Sequence, residues 1–211
     1  MPSQIDKYLF NSYEESRASF RARLPELQSR WPAAKLHSHY VDGDEDLSIE
    51  WIDCPPLASS GKLLVVTTGE HGIEGFIGSA VLQLLLDRFV PLFDQREVGL
   101  LLVHPINPWG MKHRRRTNAH NVDLNRNFWY SGHPPANGTK GDYIKLRPLL
   151  CPSGAVRRQP RRDMAYLARL LRSLILVGMD SLKTATLAGQ YQDSMGIMYG
   201  GSEIQEETQV M

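Results

Sequence analysis

Two short apolar runs separated by an amphipathic stretch most strongly constrain the fold of this 211-residue chain. Residues 63–68 and 98–103 are continuous and rich in leucine and β-branched side chains, which is typical of central strands buried on both faces. Between them, apolar residues recur at helical spacing over residues 75–89. A strand, a helix and a second strand form a crossover unit. The sequence therefore predicts an α/β fold with a mixed, mostly parallel central sheet and helices on both faces.

The segment before this unit contains two further patterns. Apolar residues at helical spacing over residues 5–31 predict a helix or a helix pair, with Pro25 as an interruption or a first turn. Residues 35–41 and 47–54 flank an acidic, glycine-containing turn, residues 42–46, and predict a β-hairpin. We expect this hairpin to lie at an edge of the sheet.

The segment after the unit is harder to interpret. Residues 107–158 are polar and rich in Pro, Gly, Asn and Arg, which is typical of a functional loop region. Residues 161–177 predict a helix, residues 184–187 a short strand, and residues 203–211 the first turns of another helix. Because no internal repeat or low-complexity linker divides the chain, residues 1–211 are expected to form a single domain.

The composition is that of an ordinary globular protein. The formal net charge of +1 argues against a dedicated polyanion partner, and no aromatic residues interleave with the basic cluster at residues 112–116, so no nucleic acid is expected. The apolar runs are short for a membrane span, and residues 1–17 do not resemble a secretory signal. Cys54 and Cys151 are the only cysteines, which favours a reduced, cytoplasmic location.

His71 and Glu74 stand three residues apart in the string TTGEHGIEG, directly after the first predicted strand. Imidazole nitrogen and carboxylate oxygen are both zinc ligands, and residues at i and i+3 share one side of a helical turn. Open α/β sheets also tend to place their sites at the carboxyl ends of strands. The alternative is a solvated helix N-terminus, at which the helix dipole favours Glu74. His104, after the second run, is interpreted as a satisfied strand-end histidine.

A second polar motif, NVDLNRNF, contains Asn125 and Arg126. A guanidinium presents a planar fork that can bind a carboxylate through two parallel hydrogen bonds, and a neighbouring amide adds a neutral donor. The pair therefore suits a ligand with a free carboxylate. Two alternatives stay open: residues 112–116 could form a solvated basic loop or a phosphate-binding patch, and Asp123 and Asn125 could be ordinary turn residues.

In this order, HGIEG, a strand followed by Asn-Pro, R-x-N and DLNRNF resemble the zinc carboxypeptidase superfamily. That superfamily comprises carboxypeptidase A-like metallopeptidases and deacylases of the aspartoacylase and succinylglutamate desuccinylase type. The resemblance implies that His71 and Glu74 bind one zinc ion. It also implies that Asp123 hydrogen-bonds the zinc-binding histidine, which fixes the imidazole tautomer. The segment GQYQDSMGIMYGG resembles an uncharacterised bacterial branch of the same superfamily.

The resemblance also implies a reaction. Arg116 corresponds to the arginine that polarises the scissile carbonyl, with Arg114 and Arg115 as rival candidates, and Asn125 and Arg126 correspond to the residues that bind the substrate carboxylate. The chain is thus expected to be a zinc-dependent hydrolase that cleaves an amide next to a free carboxylate, in a peptide or an acylated amino acid. The alternatives are an N-acyl amino acid deacylase and a catalytically inactive binding module.

Two parts of the superfamily's site have no counterpart here. The last histidine is His133, so the third zinc ligand is not matched, and we assign no glutamate of the segment 203–207 as the general base. The sequence is therefore interpreted as C-terminally truncated relative to the superfamily, with the missing ligand and base expected beyond Met211.

Overall fold

The computed structural model describes residues 6–44, 46–135, 142–152, 160–187 and 189–211, which form a mixed α/β structure. By its contacts the chain divides into two compact units, Met1–Ala119 with Glu206–Met211, and His120–Gln205. The α/β class predicted from the sequence is confirmed. The single domain over residues 1–211 stays a prediction.

The helices and strands are, in chain order, α1 (Tyr13–Arg21), α2 (Leu24–Arg30), β1 (Lys35–Tyr40), β2 (Ser48–Cys54), β3 (Lys62–Thr67), α3 (Gly75–Arg88), β4 (Val98–His104), α4 (Pro108–Lys112), α5 (Asp142–Leu150), α6 (Pro160–Val177), α7 (Met179–Leu187) and α8 (Glu206–Val210). The predicted helix pair, hairpin, crossover helix, 161–177 helix and C-terminal helix are all confirmed.

The sheet of the first unit has the strand order β1-β2-β4-β3. Only β3 and β4 pair in parallel, whereas β1–β2 and β2–β4 are antiparallel, so the predicted mostly parallel sheet is wrong. The reason is that the hairpin joins the crossover unit through β2, which runs against β4. The hairpin does supply an edge strand, β1, as expected. However, β3 is the other edge strand rather than a central one, and the Leu63 and Val65 side chains are 51% and 52% exposed.

The core of the first unit lies between the sheet and the helices α1, α2 and α3. Every second residue of a strand contributes to it, for example Ile52 on β2 and Leu102 on β4. These side chains pack against Phe20 of α1, Trp31 at the end of α2 and Leu82 of α3. Because alternate strand residues share one face, these three helices cover the same face of the sheet. The predicted helices on the other face stay a prediction.

A capping serine and a first-turn proline mark the starts of helices α1 and α2. The Ser12 hydroxyl oxygen accepts a hydrogen bond from the Glu15 N–H at 3.1 Å, which caps α1. Pro25 lies in the first turn of α2, where its missing N–H costs nothing. The result is that α1 presents Tyr13, Ser16 and Phe20 to the interior.

The α-helices described in the second unit are α5, α6 and α7. Helix α5 packs against α6 and α7, and Tyr143, Leu146 and Leu149 form its buried core. The strand predicted at residues 184–187 is wrong, because these residues continue helix α7. A pattern of four residues is too short to decide between strand and helix. Residue 45 of the hairpin turn and residues 136–141 and 153–159 of the predicted loop region lie outside the described residues.

One described segment, Gly72–Leu92, is long and apolar enough to cross a membrane by length and composition alone, with a mean hydropathy of 1.4. It contains α3, whose Leu82 and Leu86 lie in the core, and core helices meet the same criterion. The absence of a membrane partner stays a prediction.

Candidate functional site

His71 and Glu74 lie on the turn that joins the end of β3 to the start of α3. His71 has an extended backbone and directly precedes a single 3-10 turn, Gly72–Glu74. Gly72 packs against the backbone of α4 so closely that an added Cβ would lie 2.0 Å from the carbonyl carbon of Gly110. Only glycine fits at this point, which explains the single glycine between the two candidate ligands.

The structure brings His71, Glu74 and Arg116 together in the first unit. His71 Nδ1 lies 3.3 Å from Glu74 Oε2, and the Arg116 guanidinium lies 3.6 Å from Glu74 Oε1. The His71 side chain is 11% exposed, whereas those of Glu74 and Arg116 are 64% and 40% exposed. An imidazole, a carboxylate and a guanidinium therefore converge at a solvent-accessible turn.

The His71–Glu74 pair fits two positions of a tetrahedral zinc site. Zinc binds imidazole nitrogen and carboxylate oxygen at about 2.0–2.2 Å, so two such ligands at the tetrahedral angle are about 3.3–3.5 Å apart. The two atoms are 3.3 Å apart here. Within the described residues, no group of three or more His, Cys, Asp or Glu side chains is placed to hold a metal ion. The donor atoms and their separation are therefore compatible with two ligands of one metal ion.

Of the three consecutive arginines, Arg116 is the one that lies beside Glu74. Arg114 has a left-handed backbone, with φ of 54°, and its guanidinium donates to the Asn11 carbonyl at 3.0 Å. Its guanidinium also lies 5.9 Å from the centre of the Phe76 ring. Arg115 is exposed. This arrangement favours Arg116 among the rival candidates that the sequence left open.

Asn107 connects the segment that carries His71 to the segment that carries Arg116. It is fully buried, and its Oδ1 accepts from the Gly110 N–H at 2.7 Å. Its Nδ2 makes long contacts of 3.5 Å with the Glu70 carbonyl and 3.4 Å with the Arg116 carbonyl. The sequence indicated only a backbone turn at Asn-Pro. The sequence could not show that the Asn107 amide joins the two segments, because Glu70 and Asn107 are distant in the chain.

A groove of about 590 Å³ begins at the His71–Glu74 turn and runs between β3 and α3. Apart from the turn itself, its walls are largely apolar and include Val66, Ile77 and Val81. Ile77 and Val81 are 62% and 60% exposed. The candidate metal ligands therefore lie at the polar end of an otherwise apolar groove.

Asp123, Asn125 and Arg126 lie in the second unit. Asp123 is fully buried, and its N–H donates to the Tyr199 carbonyl at 2.7 Å. Asn125 is exposed, and its carbonyl accepts from the Arg126 guanidinium at 3.3 Å. The Arg126 Nε is buried and has no hydrogen-bond partner among the described residues. The predicted bond between Asp123 and the zinc-binding histidine stays a prediction.

A segment that we call the strap, residues 189–205, holds the NVDLNRNF motif. Buried Asn127 donates to the Gly200 and Glu203 carbonyls at 2.8 and 2.9 Å and accepts from the Gln205 N–H at 2.7 Å. Gln190, also buried, orders the strap itself by accepting from two backbone N–H groups at 3.0 and 2.8 Å. Sequence reasoning missed both residues, although Asn127 belongs to the motif and Gln190 is the second residue of the GQYQDSMGIMYGG string, which lies in the strap.

The strap also fixes Arg126. The Arg126 carbonyl accepts from Trp129 Nε1 and from the Tyr191 hydroxyl, each at 2.8 Å. Burial raises the pKa of Tyr191, which keeps this hydroxyl protonated as a donor. Gly189, with φ of +80°, lies flat against the Arg126 side chain, and an added Cβ would be 2.8 Å from Arg126 Cδ. The backbone and the aliphatic part of Arg126 are thus both held by the strap.

Solved structures similar to this chain include carboxypeptidases. A protein from Shewanella denitrificans assigned as a carboxypeptidase A has 21% identity and a TM-score of 0.42 over 60% of this chain and 33% of its own. Carboxypeptidase A from Helicoverpa armigera has 20% identity and a TM-score of 0.41 over 58% and 35%. A metallo-carboxypeptidase from Burkholderia cenocepacia has 20% identity and a TM-score of 0.38 over 53% and 32%.

This chain spans about a third of the length of each of these proteins. They are proteins of the class that the sequence motifs resemble. No curated protein matches the chain. Residues 9–211 match the family described as "Protein of unknown function (DUF2817)", and the chain therefore belongs to that family.

Proposed function

We propose that this chain carries the metal-binding and carboxylate-binding elements of a zinc-dependent hydrolase of the metallocarboxypeptidase type. The reaction is hydrolysis of an amide bond next to a free carboxylate, in a peptide or an acylated amino acid. The observation that supports it most is the His71–Glu74 pair, whose 3.3 Å separation suits two ligands of one ion.

The residues have separate roles in this proposal. His71 and Glu74 hold the ion, which when bound supplies a Lewis acid and activates water for attack on a carbonyl. Arg116 stabilises the negative charge that develops on the carbonyl oxygen; one such interaction is typically worth about 3–4 kcal/mol. Its guanidinium, 3.6 Å from Glu74, is near enough to the metal pair for that role.

Asn125 and Arg126 bind the free carboxylate of the substrate. Arg126 is partly exposed as a residue, its Nε is buried and its side-chain stem lies against Gly189, so its charged end is oriented in advance. Pre-ordered guanidinium groups lose less entropy for each hydrogen bond formed with a carboxylate. By the resemblance alone, Asp123 is proposed to orient the zinc-binding histidine.

The first test is zinc stoichiometry by elemental analysis of the purified, folded chain and of two variants. We expect up to one zinc ion per chain at saturating zinc, held weakly because only two protein ligands are identified, lost in His71→Ala and kept in His133→Ala, an exposed histidine outside the proposed site. Zinc retained in His71→Ala, or no zinc in a demonstrably folded chain, would contradict the proposed metal site.

Activity then separates this reaction from the alternatives. An N-blocked dipeptide with a free carboxylate and an N-acetyl amino acid serve as the two substrates, each with zinc present and after EDTA treatment. Turnover of the dipeptide that EDTA abolishes supports the carboxypeptidase-type reaction. Turnover of the acetyl amino acid alone identifies a deacylase. Carboxylate binding that survives EDTA without hydrolysis identifies a non-catalytic binding module.

A further inference from the structure

A hydrogen-bonded chain of polar side chains connects Ser79, Ser16, His104 and Thr68, of which the first three are buried. The Ser16 hydroxyl lies 2.7 Å from the Ser79 hydroxyl and 2.8 Å from His104 Nε2. On the other side of the imidazole, His104 Nδ1 lies 2.7 Å from the Thr68 hydroxyl. Four elements or their ends are linked in this way: α3, α1, β4 and the residue that follows β3.

His104 is the centre of this chain, and its environment explains its state. The side chain is completely buried, and burial lowers its pKa to about 3, so the imidazole is neutral near neutral pH. A neutral imidazole has one donor and one acceptor nitrogen. Because the Thr68 hydroxyl donates to the Val103 carbonyl, it accepts from the His104 Nδ1–H, and Nε2 is the acceptor nitrogen that faces the Ser16 hydroxyl. Both nitrogens are satisfied, as expected for a strand-end histidine, so the ring is held in one orientation.

Thr68 is the last residue of this hydrogen-bonded chain, and it directly follows strand β3. Its N–H donates to the Val103 carbonyl at 3.0 Å and its carbonyl accepts from the Ile106 N–H at 3.0 Å. Its hydroxyl lies 3.1 Å from the Val103 carbonyl and contacts His104. The backbone and side chain are thus fixed three residues before His71, at the start of the turn that carries both candidate ligands.

We propose that His104, acting through the Thr68 hydroxyl, is a positioning residue for the His71–Glu74 pair. By holding the exit of β3, it fixes the start of the turn and thereby the separation of the two ligand atoms. Apolar side chains of similar shape could fill the same space, so packing alone does not require this polar chain. The inference rests on the proposed function, because it assumes that the pair binds a metal ion.

The test uses Thr68→Val, which keeps the shape of the side chain and removes its hydroxyl. Its matched control is Thr68→Ser, which keeps the hydroxyl. Zinc affinity is measured by competition with a chelator, and the stability of the metal-free chain by urea unfolding. We expect Thr68→Val to bind zinc about 10-fold to 100-fold more weakly, the usual effect of removing a group that orients a metal ligand. Thr68→Ser should stay close to the original affinity.

A purely structural role predicts a different outcome, namely lower stability of Thr68→Val with unchanged zinc affinity, and that result would overturn the proposal. Amide hydrogen exchange of residues 69–74 in the metal-free chain gives a readout that needs no metal. We expect faster exchange in Thr68→Val than in Thr68→Ser, and equal rates would also count against the positioning role.

The His71→Ala variant separates this inference from the proposed function. If zinc binding is lost in His71→Ala but unchanged in Thr68→Val, the metal site stands and the positioning role is wrong. If zinc affinity is unchanged in His71→Ala, both are wrong. If Thr68→Val does not fold, Ser16→Ala replaces it, because it removes the hydroxyl on the other side of His104; unchanged zinc affinity and unchanged exchange in that variant would overturn the proposal.

Discussion

The pH dependence of stability gives the most direct check on the buried, neutral state of His104. Its pKa is lowered by burial from an ordinary value of 6.5 to about 3 in the folded chain. As pH falls below 6.5, the unfolded chain takes up a proton that the folded chain does not, so stability decreases with falling pH until about pH 3. At about 1.4 kcal/mol per pH unit, the loss between pH 7.5 and pH 5 is about 2 kcal/mol.

The assay is urea unfolding at pH 7.5, 6 and 5, followed by tryptophan fluorescence, for the original chain and for His104→Asn. Asparagine does not titrate, and its amide can still hydrogen-bond toward Thr68. Glu50, which faces His104 across the β2–β4 ladder, and the other histidines are present in both proteins. The difference between the two profiles therefore isolates His104. Parallel pH profiles would refute the conclusion that this histidine is buried and neutral.

Two further substitutions test how individual side chains are held. In Gly189→Ala, the new Cβ would be 2.8 Å from Arg126 Cδ, so we expect binding of a free-carboxylate ligand, measured by calorimetry, to weaken about tenfold. Gly178→Ala is the control, because Gly178 has a similar φ of +83° but no atom within 4 Å; equal losses in both would contradict a specific effect on Arg126. In Arg21→Ala, the fully buried Glu50 loses its guanidinium partner, and urea unfolding should report a loss of about 3 kcal/mol. A loss below about 1 kcal/mol would mean that the pair behaves as an exposed one.

The sequence alone determined those helices and turns whose signal is the spacing of residues close together in the chain. The helical spacing of apolar residues over residues 75–89 predicted α3, and that over residues 161–177 predicted α6. Both could be predicted because an amphipathic helix is specified by residues three and four positions apart. The hairpin followed for a similar reason, since a polar turn between two β-prone runs leaves few other pairings. The sequence likewise singled out His71 and Glu74, whose spacing of three residues already places them on one turn.

Only the tertiary structure decided how these elements pair and which distant residues meet. The placement of β3 at an edge and the antiparallel pairing of β2 with β4 depend on neighbours far along the chain. The same holds for Arg116 beside Glu74 and for His104 against Thr68. A strand run has the same two-residue period whichever neighbour it pairs with, and a histidine carries no local sign of its partner. Such contacts arise only when hydrogen bonding and burial are satisfied across the whole fold.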